Sequence, residues 1–351
     1  MQVEHVTIDI VSKKAGVSKT TVSRYLNGKF EHMSKKTRDR IKGVIEELNY
    51  RPNAVARSLK SKRSGLIGVI VSDISNPISV SLIKGVIDYC TTEGFQVLTA
   101  SSDECKKKER EYLLSMVDRQ VEGIVVNVVD FKGSETLDSL MSQGVNIVLA
   151  DRIVESGLFD TVTTDNYDAT RSAIKFLYNE GFEVVGYFSS DLLLSSVRKI
   201  RLKAFMDESI DHGSDPERLV YILPDDNEEE CQRALVEFIL QNRGKHLAVF
   251  ASTPMALLSL LGAAQSLNLR VPRELGICGY DNLGWTKLID GGISVVEQPF
   301  YDVGKESAKI LINRIRNGMP EDEDKMYVEL KSTLILRNST KIPEVSDEQH
   351  V

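Results

Sequence analysis

The chain of 351 residues has only four cysteines, and none of them belongs to a CxxC pair: Cys90, Cys105, Cys231 and Cys278. This spacing argues against a disulfide framework or a zinc ribbon, and it predicts free or buried thiols in a reducing compartment. No apolar run approaches the roughly 18 residues of a membrane-spanning helix. Residues 1–10 lack the basic and apolar regions of a secretory signal. These absences predict a soluble cytoplasmic protein.

Motifs for catalysis are also missing. The sequence has no GxSxG, no P-loop and no HExxH, and "GVIVSDISNP" lacks the GxGxxG of a dinucleotide site. The five histidines are scattered, and none neighbours a cysteine or carboxylate at metal-ligand spacing: His5, His32, His212, His246 and His350. We therefore expect a protein that is not an enzyme and that holds no metal or other cofactor.

Charge is distributed unevenly along the chain. Residues 1–63 contain 15 Lys and Arg against 6 Asp and Glu, whereas the remainder contains 29 against 45, so the net charge of −7 hides a basic segment. A small basic module joined to a large acidic one favours nucleic acid as the partner of the first. The alternative is a basic face that only meets solvent.

The first fifty residues have the pattern of three short helices. Thr7 can cap the first, Gly16 ends it, and Ser18 can cap the second, "KTTVSRYLN", while the third runs over 34–48. One face of the second helix is polar and carries Lys19, Thr20, Ser23 and Arg24. Two helices around a glycine-containing turn, backed by a third, indicate a helix-turn-helix whose polar face suits a major groove. Three solvated amphipathic helices are the alternative.

The stretches "VSKTTVSRYLN" and "ELNYRPNAVARSLKSKRSGLIGV" resemble the opening of the lactose-repressor/galactose-repressor (LacI/GalR) family. The similarity is dense over residues 6–71 and looser to about residue 338. It implies that Lys19, Thr20 and Arg24 read bases. It also implies phosphate contacts at Thr7, Ser18, Thr21, Asn27, Ser34, Thr37 and Tyr50. The connection "GKFEHMSKKT" is slightly long for the family, which affects the positions of Ser34 and Thr37.

The segment "RPNAVARSLKSKRSG" mixes a linker's composition with the spacing of a short helix. The family resemblance implies a hinge helix that forms on operator DNA when two subunits are present. Leu59 would then wedge into the minor groove, with Asn53 and Ala56 lining it. A helix of about seven residues is not stable alone, and an apolar wedge can kink a duplex. The alternative is a linker with an incidental leucine.

From residue 65 onwards, apolar β-branched runs alternate with amphipathic helices, which predicts parallel sheets covered on both faces. Two series, breaking near Thr163, predict two doubly wound lobes, and the resemblance implies the crossing-back topology of periplasmic sugar-binding proteins. The predicted fold is an all-α helix-turn-helix domain followed by this two-lobed α/β core. The expected domains are residues 1–51, a hinge at 52–64, a core at 65–340 and a polar tail at 341–351. Within the core we expect an amino lobe at 65–163 and 295–322, and a carboxy lobe at 164–294 and 323–340.

Ligands of doubly wound lobes bind at the carboxyl ends of strands. Polar residues immediately after predicted strands are therefore candidates for ligand contacts: Asp73, Asp151, Ser190, Ser252 and Asp281. Each is also explained by an ordinary helix cap or loop. The family resemblance adds residues at effector-facing positions: Arg152, Arg198, Arg201, Gln298 and Phe300. A ring of carboxylates with an arginine suits a polyhydroxylated ligand.

Two departures from the family pattern bear on the ligand. "ASTPMA" places Ser252 and Thr253 where the family usually has a pair that includes a carboxylate, and Ile78 stands where many members have an aromatic residue. Loss of a carboxylate beside two arginines makes the pocket less acidic. We expect an anionic effector, a sugar acid or a phosphosugar. "LNGKFEHMSKKT" also resembles the family's regulators of 2-keto-3-deoxygluconate use, which favours the same class.

The expected function is a ligand-responsive, sequence-specific regulator of carbohydrate catabolism genes, most simply a repressor. A tail without leucine heptads favours a homodimer on a pseudo-palindromic operator. The sequence leaves induction and corepression open, and a neutral sugar or nucleobase is the alternative effector. Two other classes remain as alternatives, a sugar-binding or chemosensory protein on the same lobes and an architectural DNA binder.

Overall fold

The structure is a computed structural model that describes residues 6–50, 63–192, 195–224, 227–289, 291–318 and 325–342. The chain divides into two compact units, Met1–Gly65 and Leu66–Val351. The hinge positions Asn53, Ala56 and Leu59 lie outside the described residues.

Three helices lie within the described residues 6–50 of the amino-terminal unit, as its pattern predicts. They are α1 (Ile8–Ala15), α2 (Lys19–Leu26) and α3 (Lys35–Glu47). Gly16 ends α1 in the left-handed conformation with φ of 59°, which glycine adopts without a steric cost. One small core holds the helices together, formed by the buried side chains Val11, Ala15, Val22, Ile41, Val44 and Tyr50. The polar face of α2 is therefore left outward.

The second unit begins with an amino lobe. Its strands are β1 (Leu66–Val71), β2 (Gln96–Ser101), β3 (Gly123–Val126), β4 (Asn146–Ala150), β5 (Asp160–Thr164) and, late in the chain, β11 (Tyr327–Leu330). They form a sheet of order β11-β5-β4-β3-β1-β2 in which every pair is parallel. The helices are α4 (Pro77–Thr92), α5 (Lys106–Asp118), α6 (Glu135–Ser142) and α11 (Phe300–Asn317). Continuous Val and Ile runs suit these strands, because both faces of a parallel sheet are covered.

The carboxy lobe repeats this plan. Its strands are β6 (Val184–Ser189), β7 (Val220–Ile222), β8 (Leu247–Ala251), β9 (Gly276–Tyr280), β10 (Ser294–Glu297) and β12 (Thr333–Ile335). Their order is β12-β10-β9-β8-β6-β7, and only the β10–β12 pair is antiparallel among the described strands. The helices are α7 (Asn166–Asn179), α8 (Ser196–Asp211), α9 (Glu228–Gln241) and α10 (Pro254–Ser266). The two-lobed fold expected from the sequence is thus present.

The points at which the chain changes lobe differ from the sequence-based boundaries. β10 pairs with β9, so residues 295–297 belong to the carboxy lobe rather than to the amino lobe. β11 pairs with β5, so residues 327–330 belong to the amino lobe rather than to the carboxy lobe. β10 and β11 have only four residues each and therefore carry little periodic signal, and the edge strand β11 pairs with a strand far earlier in the chain.

Helices α4 and α11 pack together at their glycines. A Cβ built on Gly85 would lie 2.0 Å from the Tyr301 carbonyl oxygen, and one built on Gly304 would lie 2.0 Å from that of Leu82. Only glycine permits this approach of two helix backbones. Because α11 begins directly after the crossover strand β10, this packing anchors the crossover on the amino lobe.

All four cysteines are free thiols, as expected, and only Cys105 is not fully buried. Burial raises the pKa of the Cys278 thiol to about 12 and that of Cys90 to about 11, so both stay protonated. Within the described ranges, no helix is both long and apolar enough to span a bilayer.

Candidate DNA-binding surface and effector cleft

The polar face of α2 is positioned by its amino-terminal cap. The Ser18 hydroxyl accepts a hydrogen bond from the Thr21 amide at 3.1 Å and lies 2.9 Å from the Thr21 hydroxyl. Lys19, Thr20 and Arg24 are exposed on this helix, while Val22 is fully buried beneath them. α2 therefore presents one cation-rich face with donors for base edges or phosphates.

The other predicted DNA contacts of this unit lie at helix ends. Ser34 caps α3 by accepting from the Thr37 amide at 3.2 Å, and the Asn27 amide group donates to the Ser23 carbonyl oxygen at 2.9 Å. Thr7 precedes α1 and is exposed, without a side-chain cap bond. Tyr50 is only 9% exposed and packs in the core of the three helices.

Asp151 ends strand β4 at the carboxyl edge of the amino-lobe sheet. Its backbone is left-handed, with φ of 68°, which is uncommon for a residue other than glycine and is typical of strained functional positions. Its Oδ2 accepts a hydrogen bond from Asn127 Nδ2 at 3.0 Å, whereas its buried Oδ1 has no partner among the described residues. Burial raises the pKa of Asp151, against the lowering effect of Arg152 and Arg201.

Asp281 occupies the corresponding place in the carboxy lobe, at the end of β9. Its φ is 74°, and its Oδ1 accepts from Gln298 Nε2 at 2.8 Å. The buried Oδ2 lacks a partner among the residues that the structure describes. Burial raises the pKa of Asp281 to about 6, since the opposing effects of Arg201 and Gln298 are smaller and the charge of Asp151 adds to the rise. The two carboxylates thus act on each other electrostatically across the lobes.

Arg201 reaches this region from α8 and is 3% exposed. Its guanidinium donates to Asn166 Oδ1 at 2.8 Å, to the Ser252 carbonyl oxygen at 2.6 Å and to Gln298 Oε1 at 2.7 Å. It also stacks on the Tyr280 ring, 3.5 Å from the centroid. These contacts fix the orientation of one buried cation beside the two aspartates.

Gln298 joins the two lobes at the crossover after β10. Its Oε1 accepts from Thr164, at the end of β5, at 2.9 Å as well as from Arg201. Its Nε2 donates to Asp281. We refer to Asn127, Asp151, Arg201, Asp281 and Gln298 together as the cleft cluster. Two buried acceptors beside a fixed cation are suited to a ligand that donates hydroxyl hydrogens and carries oxygen acceptors.

Comparison with known proteins supports both parts of this description. The family model for bacterial regulatory proteins of the lacI family matches residues 7–53, and the model for a periplasmic binding protein-like domain matches residues 174–340. The HTH-type transcriptional regulator KdgR of Bacillus subtilis (strain 168) is 34% identical over 95% of this chain and 98% of its own length. The chain belongs to the LacI family.

Other relatives agree with this family assignment. The ribose operon repressor of Halalkalibacterium halodurans is 30% identical over 97% of this chain and 99% of its own length. The structure of the lac repressor dimer bound to operator and the anti-inducer ONPF superimposes with a TM-score of 0.83. At 21% identity, over 97% of this chain and 100% of that one, it shows the shared fold. The protein is a DNA-binding LacI-family transcription regulator, and regulators of this family bind operator DNA and small-molecule effectors.

The remaining residues that the sequence predicts to face an effector fall into two groups. Ser252 and Ser190 are buried at the cleft edge, where the Ser252 hydroxyl donates to Ser189 at 2.6 Å. Thr253 caps α10 by accepting from the Ala256 amide at 3.2 Å.

The second group is engaged outside the cleft cluster. Asp73 accepts from the amide and the hydroxyl of Ser75 in its own turn. Ile78 packs partly buried against the amino-lobe core, and Phe300 is one of that core's buried members. Arg198 donates to the Asp191 carbonyl oxygen at 2.8 Å, and Arg152 is paired with Glu104.

Several cleft residues were not among the candidates of the sequence analysis. Asn127 directly follows β3, so the rule applied to the aspartates would have found it. Asn166 and Tyr280 contact Arg201 from α7 and β9, and Glu104 pairs with Arg152 over 48 residues. These contacts carry no local sequence signal.

Proposed function

We propose that this regulator is a repressor of carbohydrate catabolism genes whose effector is a polyhydroxylated anion, a sugar acid or a phosphosugar. The single observation that carries the proposal is a pair of buried carboxylate oxygens, Asp151 Oδ1 and Asp281 Oδ2, for which the described residues offer no hydrogen-bond partner. A buried acceptor left unpaired costs free energy. Sugar hydroxyls that donate to both oxygens remove this cost at once.

Arginine side chains support the anionic part of the proposal. Arg201 lies beside both aspartates, and Arg152 and Arg198 lie near the same edge. Guanidinium groups bind carboxylates and phosphates in a bidentate manner. The name of the ribose operon repressor supports a carbohydrate as the general class. A neutral sugar or a nucleobase is the alternative outcome, and we propose no catalytic role.

On DNA, Lys19, Thr20 and Arg24 read bases in each half-site. Ser23 lies on the same face of α2. The phosphate backbone of the DNA is contacted by Thr7, Ser18, Thr21, Asn27, Ser34, Thr37 and Tyr50. Exposed apolar side chains on helices of both lobes support a homodimer, because aromatic residues and Met are enriched at interfaces. Val80 and Tyr301 lie on the packed pair α4 and α11, and Met255 and Leu258 lie on α10; these four side chains are 54%, 39%, 37% and 49% exposed. Such a dimer matches the two-fold symmetry of a pseudo-palindromic operator in the cytoplasm. Asn53, Ala56 and Leu59 contact the minor groove of the operator.

The effector class is tested by isothermal titration of the full chain with three panels: neutral sugars, sugar acids and sugar phosphates. We expect binding within the acid or phosphate panels and loss of that binding in Asp281→Ala. The Glu274→Gln variant serves as a control, since Glu274 lies in an exposed loop outside the cleft cluster and pairs with Arg270 in the same loop. Tight binding of a neutral sugar alone would contradict the proposal.

A further inference from the structure

The guanidinium group of Arg152 is paired with the carboxylate of Glu104. Its Nη1 donates to Glu104 Oε2 at 2.8 Å and its Nη2 to Glu104 Oε1 at 2.5 Å, while Nη1 also donates to the Val128 carbonyl oxygen at 3.2 Å. The Arg152 side chain is 9% exposed, whereas that of Glu104 is 38% exposed. The carboxylate therefore covers the solvent side of an otherwise buried guanidinium.

Glu104 stands on a strained turn between β2 and α5. Asp103 and Glu104 are consecutive non-glycine residues in the left-handed region, with φ of 49° and 53°. The turn is tied to β1 by a hydrogen bond of 2.7 Å from the Glu104 amide to the Ser72 carbonyl oxygen. Such strain persists only where the surroundings enforce it, and it concentrates at ligand clamps and switches. The side chain that the turn holds on Arg152 is thus placed at a cost in backbone strain.

The Glu104 carboxylate faces positive charge from both lobes. Burial by itself would raise the pKa of Glu104, but the hydrogen bonds and charge of Arg152, followed by the charge of Arg198 on α8, bring it below the ordinary value. Arg198 belongs to the carboxy lobe and Arg152 to the amino lobe. The turn that carries Glu104 adjoins the cleft cluster through Ser72, whose carbonyl oxygen accepts from the Glu104 amide and whose amide donates to Asn127 Oδ1 at 3.3 Å.

We propose that Glu104 is a specificity-determining residue, a resident counter-ion whose place on the Arg152 guanidinium is taken by the acid group of the effector. The inference rests on the proposed anionic effector. Exchange of one carboxylate for another keeps both hydrogen bonds of the Arg152 fork. A neutral sugar offers no such exchange, because it would leave a buried guanidinium without a counter-charge, which is costly. In the ligand-free cleft, Glu104 provides that counter-charge.

The test compares Glu104→Gln with the wild-type chain in titrations against a sugar acid and its neutral parent sugar. The glutamine keeps the shape but removes the competing charge, so the acid should bind on the order of tenfold more tightly, a change of about 1.4 kcal/mol. The neutral sugar should bind as before. Unchanged or weaker acid binding would overturn the proposal, as would equal tightening of both ligands.

Asp160→Asn provides a matched control for the loss of an ion-pair partner. Asp160 forms the other bidentate buried pair of the amino lobe, with Arg314 at 2.9 and 3.1 Å, at the opposite end of β5 from the cleft. This variant should lower the melting temperature without changing the ratio of acid to neutral affinity. A changed ratio in Asp160→Asn would show that general destabilisation causes the effect, and would overturn the inference.

A second readout separates this inference from the proposed effector class. The Glu104→Ala variant lacks the carboxylate that accepts the two hydrogen bonds of the Arg152 guanidinium. Acetate can take that place, so it should raise the melting temperature of the variant relative to chloride at equal ionic strength, with no such difference in the wild type. Absence of this rescue contradicts an exchangeable carboxylate position. If the wild type binds only neutral sugars, the proposed effector class fails, whereas the acetate comparison still reports on the position beside Arg152.

Discussion

Asp151 and Asp281 end equivalent strands of the two lobes in the same left-handed backbone conformation, and each has one buried carboxylate oxygen without a partner among the described residues. Their main chains are held alike, by amide hydrogen bonds of 2.8 Å to Val162 and Val296. Each lobe therefore contributes one such buried acceptor at the carboxyl end of a strand. A ligand that bridges these two acceptors links its own binding to the arrangement of the lobes.

Asp281 should make stability fall as the pH rises. Its pKa is raised from 3.8 to about 6 in the folded chain, so the folded state binds the proton more tightly than the unfolded state. The resulting contribution to the free energy of unfolding is fully present below about pH 4 and is lost as the pH rises through about 6. The shift corresponds to about 3 kcal/mol. Urea unfolding of wild type and Asp281→Asn between pH 4 and pH 7.5 measures it. This pH-dependent component should be absent from the variant, and identical pH profiles would contradict the assignment.

Arg201→Lys should weaken effector binding while leaving operator binding intact. Lysine keeps the charge but cannot reach Asn166, Ser252 and Gln298 together, and disruption of a buried hydrogen-bonded charge costs about 2–5 kcal/mol. Titration calorimetry and operator anisotropy read the two activities separately. Lys203→Ala is the control, since Lys203 is exposed on the same helix. Equal effector affinity in both variants would refute the role of Arg201.

Gly304→Ala should destabilise the amino lobe by about 1–3 kcal/mol, because its methyl group overlaps the Leu82 carbonyl oxygen. Gly43→Ala on α3 is the matched change, since no atom lies within 4 Å of its Cβ position and alanine favours a helix interior. Denaturant midpoints of the two variants should therefore move in opposite directions. A Gly304→Ala chain of wild-type stability would exclude the tight α4–α11 contact.

The sequence was sufficient to predict the three-helix unit, the two lobes and the acidic ends of β4 and β9, because each rests on a local pattern. β10 and β11 belong to other lobes than expected, since strands of four residues carry little periodic signal and the partner of β11 lies far earlier in the chain. The role of Gln298 as a bridge between Thr164, Arg201 and Asp281 depends on folded geometry. The pairing of Arg152 with Glu104 likewise could not be read from spacing.

Arg24→Ala should relax base preference in the half-site. Arg24 is exposed on α2, and loss of a bidentate guanine contact is worth about 1–3 kcal/mol of discrimination. Binding-site selection on random duplexes, performed with wild type and variant, measures the preference. Lys42→Ala, an exposed cation on α3, should leave the selected sequence unchanged. An unaltered preference in Arg24→Ala would remove this residue from the base-reading set.

Leu59→Ala should weaken specific DNA binding and spare much of the non-specific affinity. Insertion of Leu59 would unstack a base step, which costs free energy. Contacts that only the kinked operator provides would offset this cost. Anisotropy on a selected operator and on random duplex of equal length gives the two affinities. Equal losses on both duplexes would count against the wedge.

We expect the cleft cluster to bind an anionic sugar derivative and this binding to alter operator affinity. The most direct measurement is the operator dissociation constant with and without saturating sugar acid or sugar phosphate. We predict a change of about 5- to 150-fold in wild type and none in Asp281→Ala. An operator affinity that responds only to neutral ligands would contradict the proposed anionic effector. An operator affinity equal to that for random DNA would contradict sequence-specific regulation.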